Sequence, residues 1–223
     1  MKRLIQLGLT AATMALMATS ANAAVTLDGS LPGYHVAPLG AGNTTVIGFG
    51  LGPLPTGYSY GSDPTPYIYQ TADGLHPGIA AVPFGDDSGH YMAIQSTQSE
   101  TLNTPLLRSM SLFIGSLDPS NQITFNGIGG FTQSFLGSDL FTPALGDQSN
   151  DANNRRFYFS FDPSDKVDQI VFSSGVNSFE FDTLAASAVP EPATWAMMLL
   201  GFGGIGFLLR AGKRQGAGVR ATA

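Results

Sequence analysis

The stretch Arg156-Phe-Tyr-Phe-Ser-Phe161 decides the fold class, because phenylalanine occupies every second position after the arginine. Successive side chains of a β-strand point to opposite faces of a sheet, so this alternation predicts a strand with one apolar face. The earlier stretch Arg108–Ile114 has the same period, with Met110, Leu112 and Ile114 on one side. Both stretches are therefore predicted to be strands that bury one face.

Strand-like stretches recur through the rest of the chain and are separated by turn residues. Their spacing of roughly 10 to 20 residues is typical of a β-sandwich. We therefore predict an all-β fold with a single β-sandwich (jelly-roll-like) domain, in which the glycine- and proline-rich residues 48–66 form irregular connections. The other predicted strands are Val25–Leu27, Thr44–Ile47, Tyr67–Tyr69, Tyr91–Ile94, Gln122–Phe125, Gly130–Phe135, Lys166–Phe172 and Ser178–Leu184.

The composition restricts the chemistry and the partners of the chain. It has no cysteine, which excludes disulfides, thiol catalysis, cysteine metal ligands and a lipidated N-terminus. Residues 24–188 contain fifteen acidic side chains, and this acidity disfavours nucleic acid as a partner. The same residues are numerous enough for one domain with a hydrophobic core. Their basic residues are Arg108, Arg155, Arg156 and Lys166.

The start of the chain has the features of a secretory signal peptide. Lys2 and Arg3 form a positive n-region, residues 4–18 form an apolar h-region, and Ala21-Asn-Ala23 fits an A-x-A cleavage site. We expect signal peptidase to cut just before Ala24. The alternative is an uncleaved N-terminal anchor, which the shortness of the apolar run disfavours.

A second apolar run lies near the end of the chain. Ala193–Leu209 carries no charge and, as a helix, reaches about 25 Å, the low end of a bilayer's hydrocarbon thickness. Trp195 suits the headgroup interface, and a basic cluster after the run favours a cytoplasmic end. We predict one C-terminal transmembrane helix with the domain outside; the alternatives are a plain anchor and a buried helix of a soluble protein. The basic cluster comprises Arg210, Lys213 and Arg214.

The residues around this run resemble a known sorting signal. The tripeptide Pro190-Glu191-Pro192, then Trp195-Ala196, a glycine-interrupted apolar run and a basic end follow the order of the PEP-CTERM signal in its PEPxxWA form. The resemblance implies export, processing by the membrane protease-transpeptidase exosortase, and delivery to the cell surface or extracellular polymer matrix. It assigns recognition to Pro190, Glu191 and Pro192, presentation of the site to the helix from Trp195, and topology to the basic cluster.

Two stretches are similar to segments of exported β-domains that carry PEP-CTERM tails. Gly115–Phe125 is similar to their strand–turn–strand segment, and Asn177–Asp182 is similar to their last strand before the anchor. The turn is also expected from its residues alone, because Asp118-Pro-Ser-Asn121 is a favourable β-turn sequence. This resemblance implies a surface protein without naming an activity.

These features divide the chain into four parts. We predict a signal peptide at 1–23, an exported β-sandwich domain at 24–188, a sorting signal with a transmembrane helix at 189–214, and a cytoplasmic tail at 215–223. The expected precursor is anchored in the inner membrane. After processing we expect the protein at the cell surface or in the extracellular matrix.

One polar loop is the candidate for cation binding. Gly85-Asp-Asp-Ser-Gly-His90 concentrates oxygen ligands and one histidine between strands. Calcium takes about six to eight oxygen ligands, so Asp86, Asp87 and His90 are candidate Ca²⁺ ligands. An ordinary polar turn is the interpretation that we prefer, and no other cofactor is expected.

The sequence favours a protein that is not an enzyme. The three histidines are far apart and none accompanies a serine nucleophile motif or an HExxH pair. The first hypothesis is an exopolysaccharide- or biofilm-associated structural protein. The second is a carbohydrate-binding module, and a secreted glycoside hydrolase is the third, since many acids leave a carboxylate pair open. The candidate glycan-binding residues are Tyr58, Tyr60, Tyr67 and Tyr69, which are also ordinary strand residues.

Overall fold

A computed structural model describes residues 25–148, 152–190, 196–206 and 210 of the chain. Between Val25 and Ala188 the described residues form strands, turns, two 3₁₀ helices (Thr65–Tyr67 and Thr71–Asp73) and one short α-helix, α1 (Gly137–Leu140). The strands are β1 (Val25–Pro32), β2 (Thr45–Ile47), β3 (Ser59–Tyr60), β4 (Ile68–Gln70), β5 (His90–Ile94), β6 (Ser99–Asn103), β7 (Leu107–Gly115), β8 (Asn121–Gly127), β9 (Phe131–Leu136), β10 (Arg155–Phe161), β11 (Val167–Ser174) and β12 (Phe179–Ala188).

The strands form two antiparallel sheets, which confirms the predicted all-β fold. The first sheet has the order β1-β10-β7-β12-β5-β4, and the second has the order β3-β6-β11-β8-β9. In the first sheet, β12 pairs with β7 along one edge, and with β5 and then β2 along the other. The last strand of the domain is therefore an interior strand.

The apolar faces of the two sheets meet in one core. The rings of Phe125 and Phe159 lie 5.1 Å apart between their centroids, and those of Phe172 and Phe181 lie 4.3 Å apart. Each pair joins one sheet to the other, and such aromatic pairs stabilise by about 0.5–1.5 kcal/mol beyond their burial. The alternating residues predicted from the sequence all belong to this core: Met110, Leu112, Ile114, Phe157, Phe159 and Phe161.

The outer face of the first sheet is also covered, by residues 33–43 between β1 and β2. Tyr34 packs edge-on against Phe113 with ring centroids 4.9 Å apart. The Ser111 hydroxyl donates a hydrogen bond to the Leu39 carbonyl at 2.6 Å and accepts one from Arg156 at 3.2 Å. Strand alternation alone places Arg156 in solvent, yet it is only 1% exposed, because this covering segment lies over it.

Two strands of the second sheet were not predicted. β3 has two residues and lies within the stretch expected to be irregular. β6 is polar in sequence and carries Glu100, which is buried. The Glu100 carboxylate accepts hydrogen bonds from the Ser62 hydroxyl at 2.5 Å and the Ser62 N–H at 3.2 Å. These contacts between distant residues make burial of the charge tolerable.

The predicted turn after β7 is confirmed. The Asn121 N–H donates to the Asp118 carbonyl at 3.1 Å, and the Asp118 N–H donates to the Asn121 side-chain oxygen at 2.7 Å. This reciprocal pair fixes the turn that leads into β8. The turn also positions the Asp118 side chain beside Gly146, where an added Cβ would lie 2.5 Å from its Oδ1 atom.

Candidate sorting site and polar cavities

β12 leads directly into the predicted sorting signal. Its last residue, Ala188, lies opposite Leu107, and the Val189 N–H donates to the Leu106 carbonyl at 2.7 Å. Pro190 follows, is exposed, and has no N–H with which to extend the pairing. The folded domain therefore ends where the predicted recognition tripeptide begins.

The helical residues after this junction do not pack into the domain core. Residues 196–206 and Arg210 are helical, and all of them are exposed. Met197, Leu199, Leu200 and Phe202 are each 69% or 70% exposed. Apolar side chains that surround a helix are unfavourable in water, so this helix needs an environment other than solvent.

Several predicted residues lie outside the described part of the chain. Among the described residues, none of the helices has the length and apolar character needed to cross a membrane. The predicted transmembrane helix, the signal peptide and the domain boundaries stay predictions. The site residues outside the described ranges are Ala21, Ala23, Ala24, Glu191, Pro192, Trp195, Lys213 and Arg214.

The three candidate cation ligands have different surroundings. Asp86 is buried and accepts the Ser88 N–H at 2.8 Å through Oδ1, whereas its Oδ2 atom has no hydrogen-bond partner. Burial raises the pKa of Asp86 to about 6. Asp87 is exposed, and its Oδ1 atom lies 3.4 Å from the Nε2 atom of His35. His90 is the first residue of β5. Within the described residues, no three His, Asp or Glu side chains are grouped to hold a metal ion.

The four candidate tyrosines do not form one platform. Tyr58 belongs to the core, and Tyr60 and Tyr67 pack against it. Tyr69 lies in the first sheet and stacks on Tyr91 with centroids 5.8 Å apart. Tyr58 and Tyr60 do share an open cleft of about 390 Å³. The cleft is also lined by Leu51, Leu54, Ser59, Pro64 and Thr65.

Sequence reasoning missed two buried carboxylates on β12, Glu180 and Asp182. Asp182 accepts the Phe49 N–H at 3.1 Å through Oδ1, and the hydroxyls of Tyr34 and Thr183 at 2.7 and 2.6 Å through Oδ2. Both acids alternate with core phenylalanines, a pattern that normally indicates a solvent-facing side. No sequence signal reveals that separate segments cover this face.

Glu180 lines a polar cavity of about 70 Å³ on the outer side of the first sheet. Its carboxylate accepts hydrogen bonds from the Ala81 N–H at 2.9 Å, the Ser116 hydroxyl at 2.7 Å and the Ser178 hydroxyl. Burial outweighs these bonds and raises the pKa of Glu180 to about 7. Burial also raises the pKa of Asp118 in the same cavity. The remaining lining includes Leu75, His76, Ile79, Gln148 and Asn177.

A comparison with known families identifies the C-terminal segment. Residues 188–214 match the family model of the PEP-CTERM protein-sorting motif, which confirms the resemblance predicted from the tripeptide and its helix. No curated protein and no solved structure gives a significant match to the chain. The chain therefore carries a PEP-CTERM sorting motif, which supports export, a membrane-anchored precursor and processing by exosortase.

Proposed function

We propose that this chain is a non-catalytic protein of the cell surface or extracellular matrix, associated with exopolysaccharide or biofilm after exosortase processes it near Pro190. The sorting motif at residues 188–214 is the observation that carries this proposal. Every described strand precedes Pro190, so processing there leaves the β-domain whole. Signal peptidase and exosortase are the two processing partners.

The domain is, on this proposal, a β-sandwich of the jelly-roll type. From β5 onward, one sheet has the order β5-β12-β7-β10 and the other has the order β6-β11-β8-β9. Two Greek keys wound into a double sheet give this arrangement. No disulfide contributes to the stability of the domain, because the chain has no cysteine.

The size of the Glu180 cavity supports a role without catalysis. Asp118 and Glu180 line the same cavity and are a candidate carboxylate pair for glycoside hydrolysis. A volume of about 70 Å³ is well below the usual range for small-ligand pockets, about 300–1,000 Å³. The cavity is small for a sugar ring, so the pair is a poor candidate for that chemistry.

Intact mass spectrometry of cells and medium tests the sorting proposal, with and without the host's exosortase gene. The expected mature form starts at Ala24 and ends near Pro190 only when the gene is present. Glu191→Ala should leave the precursor unprocessed, while Gln215→Ala, outside the motif match, should be processed normally. A form that ends at Ala223 and stays in the membrane of both strains would refute exosortase processing.

Carbohydrate binding is the second candidate function, and the cleft beside Tyr58 and Tyr60 favours it. A volume of about 390 Å³ falls within the usual range for small-ligand pockets, about 300–1,000 Å³. A glycan array separates the two candidates, because a purely structural matrix protein should show no saturable binding. Tyr60→Ala should abolish any binding in the cleft, whereas Tyr67→Ala, outside it, should not.

A further inference from the structure

The cavity beside Glu180 is lined by several segments that meet on the outer side of the first sheet. Residues 75–80 form one wall, Ser116 follows the end of β7, and Asn177 and Ser178 precede β12. Glu180 itself is only 1% exposed. A buried carboxylate therefore meets a small, accessible polar space.

The charges that line this cavity are negative. Asp118 adds a second carboxylate, and none of the lining residues is Lys or Arg. The Asp118 side-chain oxygens accept no hydrogen bond from the described residues, although burial already disfavours the charged form. A half-buried carboxylate without donors favours a nearby positive group, because the interaction offsets its lost hydration.

Exposed apolar residues are also part of the cavity lining. Leu75 and Ile79 are 60% and 46% exposed. Val176, next to the lining residue Asn177, is also exposed. Large exposed apolar side chains around a polar recess indicate a ligand whose polar end enters and whose apolar part stays at the rim.

We propose that this cavity binds the primary ammonium group of an alkylamine, with the ammonium beside Glu180 and Asp118 and the methylene chain against Leu75 and Ile79. An ammonium group has three donors and no acceptor, which suits a cavity lined by two carboxyl groups. A bare metal ion suits the site less well, because the described residues contain no three-ligand group. This inference does not depend on the sorting motif.

An NMR titration of the domain of residues 24–190, which contains every described strand, tests the inference. n-Butylammonium chloride should cause saturable shifts of the amides near Ser116, Asn177 and Ala81. n-Butanol, which has the same chain without the charge, should cause none at matched ionic strength. Nα-acetyl-lysine amide serves as a second probe. If the domain binds it as tightly as n-butylammonium, lysine side chains of proteins are the ligands. If the domain binds it more weakly, the ligands are free alkylamines.

Two variants decide whether the cavity is the site. Asp118→Asn should weaken n-butylammonium binding about fivefold, as expected for one partly exposed charge pair. The Asp118 side chain makes no hydrogen bond within the described residues, so this variant should fold normally. Asp28→Asn, which alters an exposed acid on β1, should bind like the unaltered domain. Equal shifts with butanol, or unchanged affinity of Asp118→Asn, would overturn the proposal.

Discussion

Replacement of Glu180 by glutamine should remove much of the pH dependence of domain stability. Burial raises the pKa of this carboxyl group from its ordinary 4.5 to about 7 in the folded domain. Between these two pH values the folded state holds a proton that the unfolded chain has released, so the free energy of unfolding decreases as the pH rises. The contribution of Glu180 protonation to the free energy of unfolding is fully present below about pH 4.5 and lost above about pH 7. At about 1.4 kcal/mol per pH unit, the whole contribution is about 3 kcal/mol.

Urea unfolding of the domain of residues 24–190 at pH 5 and pH 7.5 measures this effect. The unaltered domain should lose stability between the two pH values, and Glu180→Gln should lose about 2–3 kcal/mol less. Asp86, whose pKa burial raises to about 6, adds a slope of the same sign, so Asp86→Asn identifies its share separately. A Glu180→Gln variant that keeps the full decrease would refute the assignment of this pH dependence to Glu180.

Three further substitutions test the packing. Phe172→Ala removes a ring between the sheets and should cost about 3–5 kcal/mol in urea unfolding; a loss below about 1 kcal/mol would contradict the described core. Gly127→Ala places a Cβ 2.0 Å from the Asp165 carbonyl oxygen, whereas the added Cβ of the control Gly48→Ala meets nothing within 4 Å. Only Gly127→Ala should therefore lower the melting temperature strongly. Equal melting temperatures of the two variants would be inconsistent with this geometry. Arg156→Met leaves the Thr183 carbonyl without the guanidinium donor 2.7 Å away and should cost about 1–3 kcal/mol in thermal unfolding; an unchanged melting temperature would count against that role.

Period-two patterns predicted the strands whose packing is one-sided. Phe157, Phe159 and Phe161 face the core as their alternation indicates, because the inward positions of β10 depend only on local strand geometry. The burial of Arg156 on the same strand was not predictable, since it depends on a covering segment more than 100 residues earlier in the chain. Side-chain type alone indicated solvent at this position.

The candidate sites were predictable to a similar extent. The sorting motif was predicted from contiguous residues, because a short peptide signal is written in consecutive positions. Asp118 and Glu180, in contrast, line one cavity although 62 positions separate them in the numbering. The proposed cation ligands Asp86, Asp87 and His90 are close in sequence, yet Asp86 is buried and Asp87 points to His35. Proximity along a loop does not fix the direction of its side chains.

The interior position of β12 has a consequence for the order of events during export. β12 is the last of the described strands to be synthesised, yet it separates β7 from β5 in the finished sheet. Until it arrives, the described strands of the first sheet form three separate pieces, β1-β10-β7, β5-β4 and β2. Their unpaired edges are prone to wrong pairing. Completion of this sheet therefore waits for the residues just ahead of Pro190, so a chain cut short before β12 cannot form it.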